Sequence, residues 1–499
     1  MLARKSTLII YNQIFIGIFG LISIFFVSRY MGPEALGQIG FAMGFVGLFS
    51  IILDLGFVKA HVKKVSEVQD PSSFIATFIL IKLILICSFS LTVILSINSA
   101  YLALNLSILE KQVIYLTLLL FIFQNIYSII QHTFAAKKEI AKNQIPLFFS
   151  NLIRLPFVIF VCLASMSVIN LALVNSLAAF VALIFYLYYF RGTKIGMPSF
   201  SVFREYLSYS LPLFLVTAFG ILVIYLDKAL LGFFYSDAEL GQYMGAHRIY
   251  HFLMFIPISI VSVYFPTISK YYSEGKSERF IENFTHTSEK YAFLFIIPLL
   301  ILAFIHSDLI VKLILGDLFK DSIEVLQIFI LVVIFNFISF PYTQLILGAG
   351  KPKHYASVIV AGNITHLGFN IILIPNNILG YEVYGLGAMG AAYSLLFGTL
   401  AQTVFSRFIV KKDLRISSNP RSLIWFSLSS LLLSVCYYFN DSFELEWYFS
   451  LIFSFLMLLS YFCILYALGE VTKREFSFLV KTLNPKLMSD YIKSEVNSK

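Results

Sequence analysis

Apolar runs of about 20 residues recur from end to end of this chain, each long enough to cross a bilayer as a helix. In hydrocarbon a backbone must satisfy its own hydrogen bonds, and a helix does so within one segment. A chain made of such runs is therefore restricted to a bundle of membrane-spanning helices. Of its 499 residues, 59% are hydrophobic and 13% charged, too little charge to keep a soluble protein of this size in solution. The runs and their breaks predict about 14 spans. They fall at 6–28, 38–58, 74–97, 112–134, 145–165, 168–190, 205–233, 239–268, 289–306, 324–347, 354–374, 384–408, 421–439 and 447–468. The expected fold is an all-α polytopic membrane protein.

Charge placement orients these spans. With the N-terminus inside and strict alternation, most of the 36 Lys and Arg residues fall in inner segments. The outer segments keep only Arg29, Lys111, Lys312 and Lys320. Cytoplasmic loops carry such an excess, so both termini are expected in the cytoplasm. The net charge of +9 is scattered over every inner loop, which excludes a nucleic-acid surface. The first run follows Arg4 and Lys5 but continues to Val27 without a small-residue cleavage site, so it reads as a retained span. Cys87, Cys162, Cys436 and Cys463 all sit in apolar runs and form no metal or disulfide pattern. There is no Walker A loop, and no catalytic triad or metal cluster stands out. The charged stretch 269–288 is expected to be a loop with an amphipathic helix at the headgroups.

One motif occurs twice. Arg29-Tyr30-Met31-Gly32-Pro33-Glu34-Ala35-Leu36-Gly37-Gln38 lies between spans 1 and 2, and Asp237-Ala238-Glu239-Leu240-Gly241-Gln242 between spans 7 and 8. Both read as an apolar helix, a tight polar turn and a second apolar helix. A second match, Ser150-Asn151-Leu152-Ile153-Arg154 with Gly362-Asn363-Ile364-Thr365-His366, falls at nearly the same shift. The shift spans an even number of crossings, so two similarly oriented lobes are expected, related by a pseudo-twofold axis along the membrane normal. Residues 1–195 would form the first six-helix lobe, 196–415 the second, 416–470 two further spans and 471–499 a cytoplasmic tail. Internal repeats of this kind mark transporters, with the substrate site between the repeats.

These motifs, with Leu53-Asp54-Leu55-Gly56-Phe57 and Leu226-Asp227-Lys228-Ala229-Leu230-Leu231-Gly232-Phe233, resemble the Wzx-type polysaccharide (O-antigen or repeat-unit) flippases. Those belong to the multidrug/oligosaccharidyl-lipid/polysaccharide superfamily, and the resemblance runs over about residues 1–470. It implies a V-shaped pair of lobes around a central, often cationic cavity that opens to each side in turn. The implied substrate is an oligosaccharide joined to a polyprenyl chain through phosphate or pyrophosphate, moved from the cytoplasmic to the outer leaflet. Membrane lipids, and a polymerase or ligase of the same glycan pathway, would be its partners. Multidrug antiporters share this fold, so fold alone leaves the substrate open.

An ionisable residue within a span is a functional candidate. Arg154 and Arg248 suit a phosphate best, because a guanidinium presents a planar fork and stays charged. Arg29, at the end of span 1, and Lys228 are further head-group candidates. Each has a structural alternative: a carbonyl or acid partner for Arg154, Asp227 for Arg248, an interface anchor for Arg29. Lys82 is expected to snorkel to the inner surface. Adjacent helical residues point about 100° apart, so Asp227 is expected to face Arg248 rather than Lys228. Asp54, Asp227 and His366 could couple transport to Na⁺ or H⁺, or simply neutralise or hydrogen-bond their neighbours. No other cofactor is called for. Span amides such as Gln124, Asn151, Asn363 and Asn370 could bind sugar hydroxyls or each other's helices. Two rivals remain, a multidrug or cation antiporter and a glycan-pathway membrane enzyme. Lys82, Arg154, Lys228 and Arg248 against Asp54 and Asp227 favour an anionic substrate, and the short outer loops leave an enzyme little room.

Overall fold

The computed structural model describes residues 2–417 except 105 and 379, scattered positions from 425 to 438, and 447–469. Side chains are described from residue 12 onward. The predicted span at 421–439 lies largely outside these residues, and the tail wholly so. Within them the chain is nearly all helix, and 11 helices are long and apolar enough to cross a membrane. In chain order the α-helices, short ones included, are α1 (Leu2–Leu48), α2 (Phe57–Glu67), α3 (Ser72–Leu104), α4 (Ile108–Ala136), α5 (Ile140–Leu163), α6 (Val168–Phe190), α7 (Phe200–Phe234), α8 (Asp237–Leu253) and α9 (Phe255–Ser273). After these come α10 (Glu278–Tyr291), α11 (Ile297–Ile305), α12 (Ser307–Ile314), α13 (Ser322–Gly348), α14 (Pro352–Leu373), α15 (Gly387–Asp413) and α16 (Trp447–Ala467). A two-residue hairpin, Asn377–Ile378 with Tyr381–Glu382, interrupts the α14–α15 connection, the one departure from an all-α chain among the described residues.

Three boundaries differ from the expectation. The turn predicted around residues 29–37 is one residue wide. Helix α1 breaks only at Gly32 (φ 77°, ψ −175°), a conformation open in practice to glycine alone. Pro33 follows as the first residue of the second arm, where its missing N–H costs nothing. The predicted second span stops short of residue 58. It ends in a 3-10 turn (Phe49–Leu53), and Gly56 (φ 90°) turns the chain into the separate amphipathic helix α2. The predicted eighth span bends at Met254 into α8 and α9, and α10 supplies the expected amphipathic helix.

The helices alternate between two ends of the bundle. The basic loops cluster at one, where Lys64 meets Glu205 (2.9 Å) and Lys194 meets Asp70 (3.0 Å). There the bonds from Ser72, together with Lys194, hold the Asp70 carboxyl down to about 2. At the same end Glu289, fully buried on α10, binds Arg407 of α15 (2.6 Å) and Tyr342 of α13 (2.9 Å). The sequence reading had overlooked this pair.

At the opposite end the two copies of the repeated motif pack on each other. A Cβ on Gly37 would collide with the backbone carbonyl of Asp237, and one on Gly241 with that of Pro33. Pro33 and Asp237 are separated by the same number of residues as Gly37 and Gly241. The contact is therefore reciprocal, as an axis of twofold symmetry between the motifs requires. Helices α1 and α8 approach backbone to backbone at this seam. Ser236 caps α8 by accepting the Glu239 N–H (3.3 Å), and Glu239 in turn accepts the Ala388 N–H at the start of α15 (3.0 Å).

Candidate functional site

Two cavities meet beside α1. The first, about 320 Å³, lies among α1, α4, α5 and α6, closed on one side by Met244 and Arg248 of α8. The second, about 460 Å³, runs between α1, α5 and α8–α9 and is walled by Ile14, Ile18, Leu21, Phe252, Phe255 and Ile258. Asn151, Arg154 and Arg248 line both. The first cavity carries the larger share of polar surface, though apolar side chains predominate in both, and the two guanidiniums stand at their junction.

Helical spacing sets the polar wall. Thr117, Gln124 and Tyr127 share one face of α4, and Ser150, Asn151 and Arg154 share one face of α5. Asn175 of α6 accepts the Arg154 Nε–H (2.7 Å), which orients the guanidinium and leaves its terminal nitrogens facing the cavity. No carboxylate lines either cavity among the described residues. The site suits an anionic group held at a boundary between polar and apolar space. Asn175, the residue that orients Arg154, was not singled out from the sequence. Its signal is an amide within the apolar run of α6, a turn and a half beyond Asn170.

The remaining candidates lie elsewhere. Arg29 donates to the carbonyls of Lys312 (3.1 Å) and Leu313 (2.9 Å) and packs on Phe25, so it ties α1 to the end of α12. Lys228 and Asp227 form an ion pair (3.2 Å), against the expectation that Asp227 would turn to Arg248. The lysine stem is long enough to fold back over one residue, and Lys228 Nζ also donates to the Ile224 carbonyl (2.6 Å). The other Asp227 oxygen accepts the Tyr243 hydroxyl, and His247 stacks beside Tyr243. His366 is buried on α14 and hydrogen-bonds Asn370 (3.2 Å). Asp54 accepts the Val58 N–H (3.1 Å) at the start of α2. Lys82 does not snorkel. It is buried and donates to the Leu53 carbonyl (2.7 Å) and to Asn125 (3.1 Å), pinning the end of the 3-10 turn.

The repeat is broken at the cavity. His366 occupies the place of Arg154 in the second copy of the motif. There α14 and α15 pack backbone to backbone at Gly362 and Gly398, with the Gly362 carbonyl 2.9 Å from where a Cβ on Gly398 would lie.

Comparison with known proteins follows this geometry. The polysaccharide biosynthesis protein family matches residues 2–272, more than half of the chain. The chain belongs to that family. The resemblance read from the motifs is thereby borne out. A MatE family match covers residues 212–372 of this polysaccharide biosynthesis protein. A curated relative, the probable low-salt glycan biosynthesis flippase Agl15 of Haloferax volcanii, is 23% identical over 439 residues, 87% of this chain and 88% of its own. Among solved structures, the lipid II flippase MurJ in an inward closed conformation is similar with TM-score 0.74 at 16% identity, covering 92% of this chain and 98% of its own. An inward-facing multidrug resistance MATE family transporter of the MOP superfamily is similar with TM-score 0.62 at 14% identity, over 81% and 96% of the two chains. These structures share the fold, that of a multi-pass membrane protein.

Proposed function

We propose that this polysaccharide biosynthesis protein flips a polyprenyl-(pyro)phosphate-linked oligosaccharide from the cytoplasmic to the outer leaflet by alternating access. The observation that carries the reading is the carboxylate-free junction where Arg154 and Arg248 stand between a pocket with a wall of amide and hydroxyl groups and a more apolar groove. The phosphate sits against the guanidiniums, the glycan takes the polar side, and the prenyl chain leaves along the groove toward lipid. Such a substrate has the same three chemistries in the same order. The curated glycan flippase relative supports the same reading.

The lobes are residues 1–195 and 196–415, which rock about the glycine seam, with 416–470 and 471–499 appended. The basic end, with both termini, faces the cytoplasm. The protein is a transporter and not an enzyme; a glycan polymerase or ligase acts on its product. The coupling ion is Na⁺ or H⁺, with Asp54, Asp227 and His366 as the groups that would carry it.

The test is flipping in proteoliposomes: a lipid-linked oligosaccharide labelled on one leaflet is followed to the other. Protein-dependent movement is expected. The MatE match favours one second reading, a multidrug antiporter. Gradient-driven uptake of an organic cation, with no movement of any lipid-linked glycan, would replace the flippase reading with it.

A further inference from the structure

We infer that the end opposite the basic loops holds a second anion site, where Arg29, Lys312 and Lys320 receive the phosphate of the lipid-linked glycan after it leaves the Arg154–Arg248 junction. The inference rests on the flippase reading, under which this is the outer end, and adds to it the place of release. Three observations carry it.

The first is where the cations gather. Outer segments of membrane proteins are poor in Lys and Arg. Of the few here, Arg29, Lys312 and Lys320 all line one cavity of about 860 Å³. Arg29 comes from the first arm of α1, Lys312 from α12 and Lys320 from the turn before α13. Asp308 and Asp317 share the wall, so the cations outnumber the carboxylates.

The second is that these cations retain binding capacity. Arg29 gives Nη2 to the Lys312 (3.1 Å) and Leu313 (2.9 Å) carbonyls, and Phe25 lies against its guanidinium (4.6 Å). Those carbonyls belong to the last turn of α12, where a helix runs out of N–H partners. The arginine is thus held in place while Nε and Nη1 keep their donors. Lys312 reaches Asp317 at 3.8 Å, with both side chains at least 70% exposed, a pair that solvent screens and a phosphate displaces. The Lys320 ammonium has no ion-pair or hydrogen-bond partner among the described residues.

The third is adjacency along α1. Val27 lines the inner cavity, and its neighbours Ser28 and Arg29 line the outer one. The Arg248 guanidinium lies 3.7 Å from where a Cβ on Gly20 would stand. From Gly20 to Arg29 is about 14 Å of helix at 1.5 Å rise per residue. A phosphate that leaves Arg248 therefore meets the next cations two to three turns further along the same helix. There Arg29 again offers a guanidinium, the group suited to an oxyanion.

The experiment reads protection of a thiol in this cavity. Leu313 lines it and is 56% exposed, so Leu313→Cys adds a reporter without disturbing a core. The full chain is held in phosphatidylcholine nanodiscs, which leave both faces open to a membrane-impermeant thiol reagent, and labelling of the parent protein is subtracted. Farnesyl diphosphate is the probe, and phosphatidylglycerol represents the surrounding lipid as a source of phosphate. A phosphodiester carries less charge than a diphosphate, so farnesyl diphosphate is expected to slow labelling at concentrations where phosphatidylglycerol does not. Lys312→Gln and Lys320→Gln change exposed side chains and spare the backbone carbonyls that hold Arg29. Each is expected to raise the concentration for half-protection about tenfold, the worth of one hydrogen bond to a charged group, and to slow flipping in proteoliposomes. No protection, equal protection by phosphatidylglycerol, or half-protection unmoved in both Lys variants overturns the inference and leaves the flippase reading standing. Normal flipping in both Lys variants also overturns it, since the cavity would then lie off the transport path. If no lipid-linked glycan moves at all, the flippase reading falls and the release role falls with it, whatever the thiol reports.

Discussion

A guanidinium inside a membrane is retained where something anionic or strongly dipolar meets it. For Arg154 the dipole is the Asn175 amide, and under the proposed function the substrate phosphate would face both arginines. Arg154→Ala and Arg248→Ala are each expected to slow flipping about thirtyfold, the worth of roughly 2 kcal/mol for a charged hydrogen bond, without loss of membrane insertion. The corresponding Lys variants should fall between, since an ammonium keeps the charge and loses the fork. Initial rates and surface biotinylation together check this, and normal rates in both Ala variants would remove the phosphate-contact assignment. The Asp227–Lys228 pair invites a different measurement. Both side chains are buried, so Asp227→Asn strands an ammonium and should cost about 3 kcal/mol. The double variant Asp227→Asn/Lys228→Met should recover much of that loss. Melting of the single and double variants in detergent reads the difference, and a double variant no more stable than the single would show that the pair is not what Asp227 stabilises.

At the scale of elements, the seam between α1 and α8 decides how closely the two motifs can approach. Gly37 and Gly241 leave no room for a side chain, because each faces the backbone of the other copy. Gly37→Val or Gly241→Val should force the helices apart at a cost of about 1–3 kcal/mol, typical of overpacking. The contact is reciprocal, so the two substitutions should act alike, and together they should cost less than their sum. A cysteine placed at Met244, which lines the pocket, should then react faster with a bulky thiol reagent added from the end opposite the basic loops. Unchanged labelling would mean that the seam does not govern access. A second clasp lies at the basic end, where Glu289 joins α10 to α13 and α15. Glu289→Gln should lower the melting temperature, because it leaves Arg407 without its counter-charge.

For the whole molecule, alternating access requires that the seam and the basic end do not open together. The fold is shared with an inward closed flippase and with an inward-facing transporter. An imposed pH or Na⁺ gradient should alter the flipping rate, and Asp227→Asn should abolish that response. Proteoliposomes prepared with each gradient alone identify the coupling ion, and an unaltered response in the variant would remove Asp227 from the coupling.

The apolar runs by themselves determined that the chain is a multi-span helical bundle, because hydrocarbon leaves a backbone few other choices. The twice-used Leu-Gly-Gln motif announced two related halves, and Gly32-Pro33 marked where α1 breaks, since local conformation is written in local sequence. What the sequence could not convey is which side chains meet. Periodicity places Asp227 and Lys228 on different faces, yet a flexible lysine stem joins them, and only the packed structure shows Tyr243 completing the site. Arg154 and Arg248 lie far apart in the chain, and their meeting at one junction depends on how α5 and α8 pack about α1. Asn175 became part of the site for the same reason. A span is a local property of the chain, whereas a site is made by residues that tertiary packing brings together.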